Sequence, residues 1–310
     1  MKLSEAVAQY VVHKQSMGMR FHTEQQTLAS FCRHLDGLDI AQVEPERVLA
    51  FLAGTGPLTR FWQRKHEVLL GFYRFAIARG YVSHLPLPRS VPKPSRSFVP
   101  YIFSHDELRR LLDATASCQG PRTRLEACTC RTLLLLLYGA GLRISEALSL
   151  TRADVDLEAG LLHVRDSKFY KTRIVAIGSD LNGVLGKYAN RRPAGHHAPD
   201  APFFLSRAGQ AVTRQVAEGT FRRLRLRADV LRHDGARYQP RLHDLHSFVV
   251  HRLVSWYRDG ADVQRLLPHL ATYLGHVNIA ATQPYLTLTP NLLEEVSKRF
   301  ERYAMEEHHE

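Results

Sequence analysis

The sequence predicts a mainly α chain that carries one small β-hairpin, an α+β class, divided into two domains. Three observations lead there. Apolar residues recur at helical spacing through much of the first 88 residues, a stretch near the middle switches to paired runs of strand length, and a proline-rich basic segment separates the two regimes. A chain of 310 residues is also longer than one hydrophobic core usually fills.

The first 88 residues read as a helical domain. Over residues 23–35, Leu28, Phe31, Cys32 and Leu35 fall three and four apart. Residues 61–81 repeat the pattern with Val68, Leu69, Phe72, Phe75 and Ala76, and Gly80 closes that helix. Residues 85–100 hold five prolines interspersed with Lys and Arg, and a Pro-Lys-Pro core cannot sit inside a helix, so 89–100 read as a basic linker. A second domain, 101–310, opens with Ser104 as N-cap and Glu107 three residues on, a capping box ahead of Leu108, Leu111 and Leu112. Residues 161–164 and 174–177 form two short strands, joined by a polar tip containing Lys168, Lys171 and Arg173. Residues 214–241 carry eight arginines against three acids, and the run Arg222, Arg223, Arg225 and Arg227 spreads charge around most of a helix. A solvated face would explain some of that; phosphates explain more. Near the end, Thr289-Pro290 has the form of an N-cap followed by a first-turn proline, and Leu292, Leu293, Val296, Phe300 and Tyr303 make an apolar stripe that packs on its own domain or on a neighbouring protomer.

Charge narrows the partner. The 42 Lys and Arg exceed the 30 Asp and Glu by +12, which favours a polyanion, nucleic acid before an anionic membrane. The longest apolar run, residues 133–142, is far short of the roughly 18 needed to span a bilayer, and no signal-peptide pattern opens the sequence, so a soluble cytoplasmic, nucleoid-associated protein is expected. Four cysteines without CxxC or structural-zinc spacing read as free thiols.

Two segments carry the chemistry. One is Tyr138-Gly139-Ala140-Gly141-Leu142-Arg143-Ile144-Ser145-Glu146-Ala147-Leu148, which sets a lone arginine just past a glycine turn. The other is Leu274-Gly275-His276, followed nine residues later by Tyr285. A phosphodiester requires a group that neutralises it, one that attacks it and one that protonates the leaving oxygen. A guanidinium donates two parallel bonds to a phosphate, and a phenol forms an ester that conserves the energy of the broken bond.

Together these segments resemble the active site of the tyrosine recombinases, the phage integrase family. The resemblance implies a helical core-binding domain over 1–88 and a catalytic domain over 101–310 that clamp duplex DNA. It also implies strand cleavage and rejoining through a 3′-phosphotyrosyl intermediate, without metal, nucleotide or other cofactor. Tyr285 would attack, Arg143 and His276 would hold the phosphate, Lys168 would be the general acid and His243 would assist proton transfer, with Glu146 orienting the site. Lys171, Arg173, Arg222, Arg223 and Arg241 would bind DNA. A homotetramer on paired sites, exchanging the C-terminal helix, follows from the same likeness. Integration or transposition of a mobile element is expected over chromosome-dimer resolution, because the hairpin and the stretch from Trp256-Tyr257 to Leu270 look longer than in the family's compact housekeeping form.

One box departs from the pattern. The family reads His, any residue, Leu, Arg, His, Ser or Thr, Phe; here His243-Asp244-Leu245-His246-Ser247-Phe248 lacks the arginine. Either His246 or Leu245 falls in its place, and a missing residue rotates everything beyond it by about 100° on an α-helix. Arg241 and Arg252 are candidate substitutes. The expectation is a recombinase with an impaired site, the alternative a DNA-binding accessory protein without the chemistry. A nicking and closing enzyme using the same tyrosine is a further rival. A zinc site from His243, His246, His251 and His276 is disfavoured, because no thiol joins the set and the tyrosine would be left unexplained.

Overall fold

The computed structural model describes residues 1–55, 60–92, 101–118, 120, 123–165, 172–192, 198–236 and 238–275, without the side chains of 246, 247 and 257. Lys168, Lys171, His276, Tyr285, the end of the linker and the C-terminal apolar stripe lie outside the described residues. The chain divides into two compact units, Met1–Phe98 and Val99–Glu310.

The first unit contains helices α1 (Leu3–Ser16), α2 (His22–His34), α3 (Pro45–Ala53) and α4 (Arg60–Ala78). Its core is aromatic: Tyr10, Phe31, Phe51, Trp62, Phe72 and Tyr73 are buried with Leu28 and Leu69 between them. The predicted stripe of the last helix is seen with Leu69, Phe72 and Ala76 at its centre, whereas Val68 and Phe75 flank it, partly buried. Pro45 sits at the start of α3, where the missing N–H costs nothing.

In the second unit come α5 (His105–Ala114), α6 (Ala127–Ala140), α7 (Ile144–Ser149), strands β1 (Val155–Asp156), β2 (Leu161–Val164) and β3 (Arg173–Ala176), then α8 (Ser179–Ala189), α9 (Arg214–Arg227), α10 (Phe248–Arg258) and α11 (Val263–Tyr273). The predicted capping box opens α5: Ser104 Oγ accepts from the Glu107 N–H at 3.1 Å, and Glu107 accepts from the Ser104 N–H at 2.8 Å. The three strands form one antiparallel sheet in the order β1-β2-β3. Helix α6 is apolar on most sides, with Leu133, Leu134, Leu136 and Leu137 all buried, and is the centre of the core. A smaller cluster of Val249, Val250, Leu253, Val263, Leu270 and Leu274 joins α10 to α11. Among the described residues no helix is long and apolar enough to cross a membrane.

Candidate active site

The arginine box is built on a helix reversal. Helix α6 ends at Gly141, whose φ of +61° is left-handed, and Arg143 is the N-cap of α7. A Cβ at Gly141 would lie 2.5 Å from Phe248 Cε1 and 2.8 Å from Leu274 Cδ2, so glycine is required by backbone angle and by space. The same neighbours bring the start of α10 and the end of α11 against the turn.

Arg143 is held from two sides. Its Nη1 donates to Glu146 Oε1 at 2.8 Å and its Nη2 to the Gly275 carbonyl at 2.9 Å, while its backbone N–H donates to Glu146 Oε2 at 2.9 Å. Glu146 thus holds Arg143 through both its backbone N–H and its guanidinium. The side chain of Glu146 is 4% exposed, and that of Arg143 is 23% exposed. Burial pushes the Glu146 pKa up, the largest single influence, but hydrogen bonds and charge from Arg173 and Arg143 together outweigh it and hold the carboxyl below its ordinary value. A fixed, partly solvated guanidinium in this setting can meet an anion with its remaining donors. The residue after Gly275 is His276, so the arginine box and the Leu-Gly-His segment converge.

Arg173, expected at the DNA-facing tip of the hairpin, sits elsewhere. It is the first residue of β3, paired in register with buried Val164, and its guanidinium turns inward onto Glu146, with Nη1 to Oε1 at 3.0 Å and Nη2 to Oε2 at 2.8 Å. The period-2 pattern held the signal. Arg173 shares a face with Val175, which is fully buried, while Ile174 between them is exposed.

The histidine box is wound as a 3-10 helix over Leu242–Ser247, after which α10 begins. Six residues at about 120° each turn through about 720°, against about 700° for seven α-helical residues. The tighter winding therefore recovers most of the rotation that one missing α-helical residue would remove. The rotation of about 100° expected for a missing residue applies to an α-helix, whereas this segment is a 3-10 helix. Leu242 and Leu245 of this turn point into the core. Buried Asp244 accepts from the Arg241 backbone N–H at 2.8 Å and from Arg241 Nη2 at 3.0 Å, so Arg241 is engaged in closing the turn. His243 is exposed by surface area, yet the protein packed around its ring disfavours charge there and lowers its pKa. Asp244 opposes this, whereas Arg241, Arg143 and Arg214 add to it. The Arg143 charge is thus among those felt at the His243 ring. Tyr138, the first residue of the arginine segment, has a contact that the sequence does not reveal: its hydroxyl lies 2.6 Å from His251 Nδ1 and ties α6 to α10.

The arginines of α9 divide. Arg222 and Arg223 are exposed, with Arg223 also bonded to Thr220; Arg225 is buried on Gln239 at 2.7 Å, and Arg227 binds Ser117. Of the four arginines at 222, 223, 225 and 227, Arg225 and Arg227 are thus tied to other segments of the fold. Among the described residues no His, Cys, Asp and Glu group could hold a metal.

Comparison with known proteins fixes the class. The model of the phage integrase family matches residues 102–291. The "Putative integrase/recombinase y4rB" of Sinorhizobium fredii (strain NBRC 101917 / NGR234) is 33% identical over 305 residues, covering 96% of this chain and 96% of the relative. Tyrosine recombinase XerC of Chlorobaculum parvum is 32% identical over 294 residues, covering 86% of this chain and 83% of its own. A structure of the Tn1549 transposon integrase in complex with a circular intermediate DNA shares the fold, with a TM-score of 0.70 at 16% identity over 97% of this chain and 99% of the other. The chain belongs to the phage integrase family, the tyrosine recombinases.

Proposed function

We propose that the protein is a site-specific DNA recombinase of a mobile element that cleaves and rejoins duplex DNA through a 3′-phosphotyrosyl ester. The observation that carries this reading is the anchoring of Arg143 by buried Glu146 and by the carbonyl of Gly275, which brings the arginine box to the residue before His276. In the reaction Tyr285 attacks the scissile phosphorus and the 5′ oxygen departs with a proton from Lys168. Arg143 and His276 neutralise the nonbridging oxygens, and His243, whose lowered pKa leaves it neutral near pH 7, assists proton transfer. Rejoining reverses the sequence.

The core-binding role belongs to 1–88 and the catalytic role to 101–310, connected through 89–100, with DNA held by Lys171, Arg222 and Arg223, and Arg241, expected to bind DNA, instead closing the turn on Asp244. Four protomers act on paired sites, exchanging the helix after Thr289. The relatives' names and the DNA in the Tn1549 complex support a DNA partner.

Burial of Leu245 favours the register in which His246 replaces the second arginine. Losing one charge-assisted donor costs about 3 kcal/mol, about a hundredfold in rate. Commitment of Arg241 to Asp244 removes one substitute, which favours the second reading, an accessory DNA-binding protein without chemistry; Arg252, exposed on α10, is the remaining candidate.

A library of nicked duplexes separates these readings. The recombinase forms a covalent protein–DNA adduct that Tyr285→Phe abolishes, and joins DNA in trans; His246→Arg raises the adduct rate. Tight binding without adduct in both wild type and His246→Arg would establish the accessory reading instead.

A further inference from the structure

Arg173 has a different place from the other basic residues of the site. Three of its donors are engaged: Nη1 and Nη2 span both oxygens of Glu146, and Nε donates to the Tyr273 carbonyl at 3.1 Å. Its side chain is only 12% exposed. Glu146 Oε1 is shared with Arg143, and Arg143 in turn holds the Gly275 carbonyl. Gly275 has a φ of +66°, and a Cβ there would lie 2.7 Å from Arg173 Nη1. One carboxylate, two guanidiniums and two carbonyls thus form a closed network across the start of α7, the start of β3 and the end of α11.

Each member has a physical reason to be what it is. A lone arginine beside a buried carboxylate would pair with it fully and leave few donors for a substrate. A second guanidinium that occupies both oxygens bidentately restricts Arg143 to an edge-on share of Oε1. Lysine, a point charge, cannot bridge both oxygens and a carbonyl at once.

We propose that Arg173 is a positioning residue for the cleavage reaction: it fixes Glu146 and the 273–275 carbonyls so that the free edge of Arg143 is presented to the scissile phosphate, and it does not itself touch DNA. This rests on the recombinase reading.

The test compares wild type with Arg173→Lys and Gly275→Ala, the latter displacing the Arg173 guanidinium without changing any charge. Single-turnover adduct formation is measured on one nicked duplex selected by the wild type from the library. DNA affinity and its salt slope are measured on a random-sequence 30-base-pair duplex, and folding of each variant is checked by urea unfolding. The expected result is an adduct rate lower by about a hundredfold in both variants, as for other small misplacements of catalytic groups, with affinity and salt slope unchanged. A fall in the salt slope of about one for Arg173→Lys is not expected, since a lysine keeps the charge; Arg173→Gln supplies that arm, and a slope lower by about 0.9 there would show a phosphate contact and overturn the proposal. An unchanged adduct rate in Gly275→Ala and Arg173→Lys would overturn it too. If wild type yields no adduct, the recombinase reading falls, and the salt slope of Arg173→Gln still decides whether this residue meets the backbone.

Discussion

Replacing Glu146 with glutamine keeps its shape and removes the charge that two arginines share. At pH 7 both guanidiniums stay protonated, and the amide offers one oxygen where the carboxylate offered two, with its NH2 facing an N–H donor. Breaking a buried ion pair by removing one partner costs about 3–5 kcal/mol. Arg173 is nearly buried and bears that cost, while Arg143, at 23% exposure, recovers part of it from water, so the expected loss is about 3 kcal/mol. The pH dependence follows from the depressed pKa. A carboxyl held below its ordinary value near 4.5 contributes stability that is fully present above that value and is lost as pH falls through the folded-state pKa. Glutamine has no such dependence, so the gap between wild type and variant should be widest at neutral pH and should narrow below about pH 4.5. Urea unfolding followed by Trp256 fluorescence in a Trp62→Phe background reports on the second unit alone, since the chain has 2 tryptophans. A loss under about 1 kcal/mol at pH 7, or a gap that stays constant into acid, would refute the reasoning.

Further outcomes are expected elsewhere in the fold. Gly141→Ala should destabilise by about 2–4 kcal/mol in urea, from left-handed backbone strain and from collision with Phe248 and Leu274. His251 has its pKa lowered by burial and by His105, so stability should fall as pH drops below its ordinary 6.5, and His251→Gln should flatten that part of a urea midpoint series. Arg222→Ala and Arg223→Ala should each lower the salt slope of DNA binding by about 0.9 for the phosphate that the arginine neutralises. Arg225→Ala should instead leave the slope alone and reduce stability, because its side chain is bonded to Gln239 inside the protein.

Much of this architecture was legible in the residues, for identifiable reasons. Periodicity placed helices over 23–35 and 61–81 and strands over 161–164 and 174–177, which are found at His22–His34, Arg60–Ala78, Leu161–Val164 and Arg173–Ala176, and the Ser104 box follows from hydrogen-bond stoichiometry. What escaped depends on tertiary partners. Arg173 looks like a surface cation until strand alternation is applied to it, and Arg225 and Arg227 differ from Arg222 and Arg223 only in what faces them. The 3-10 winding of Leu242–Ser247 has no propensity signature, since it is set by the burial of Leu242 and Leu245 and by the Asp244 closure. The glycine turn before Arg143 was visible, but the close neighbour of Gly141, Phe248, comes from a distant segment, as does the Arg173 that crowds Gly275.

In the proposed reaction Arg143 and Tyr285 act on one phosphodiester. Digesting the trapped protein–DNA adduct and sequencing the nucleotide-bearing peptide tests it most directly. The modified residue should be Tyr285, and Arg143→Lys should lower the yield about a hundredfold without moving the attachment. Attachment at another tyrosine, or a yield indifferent to Arg143, would contradict it.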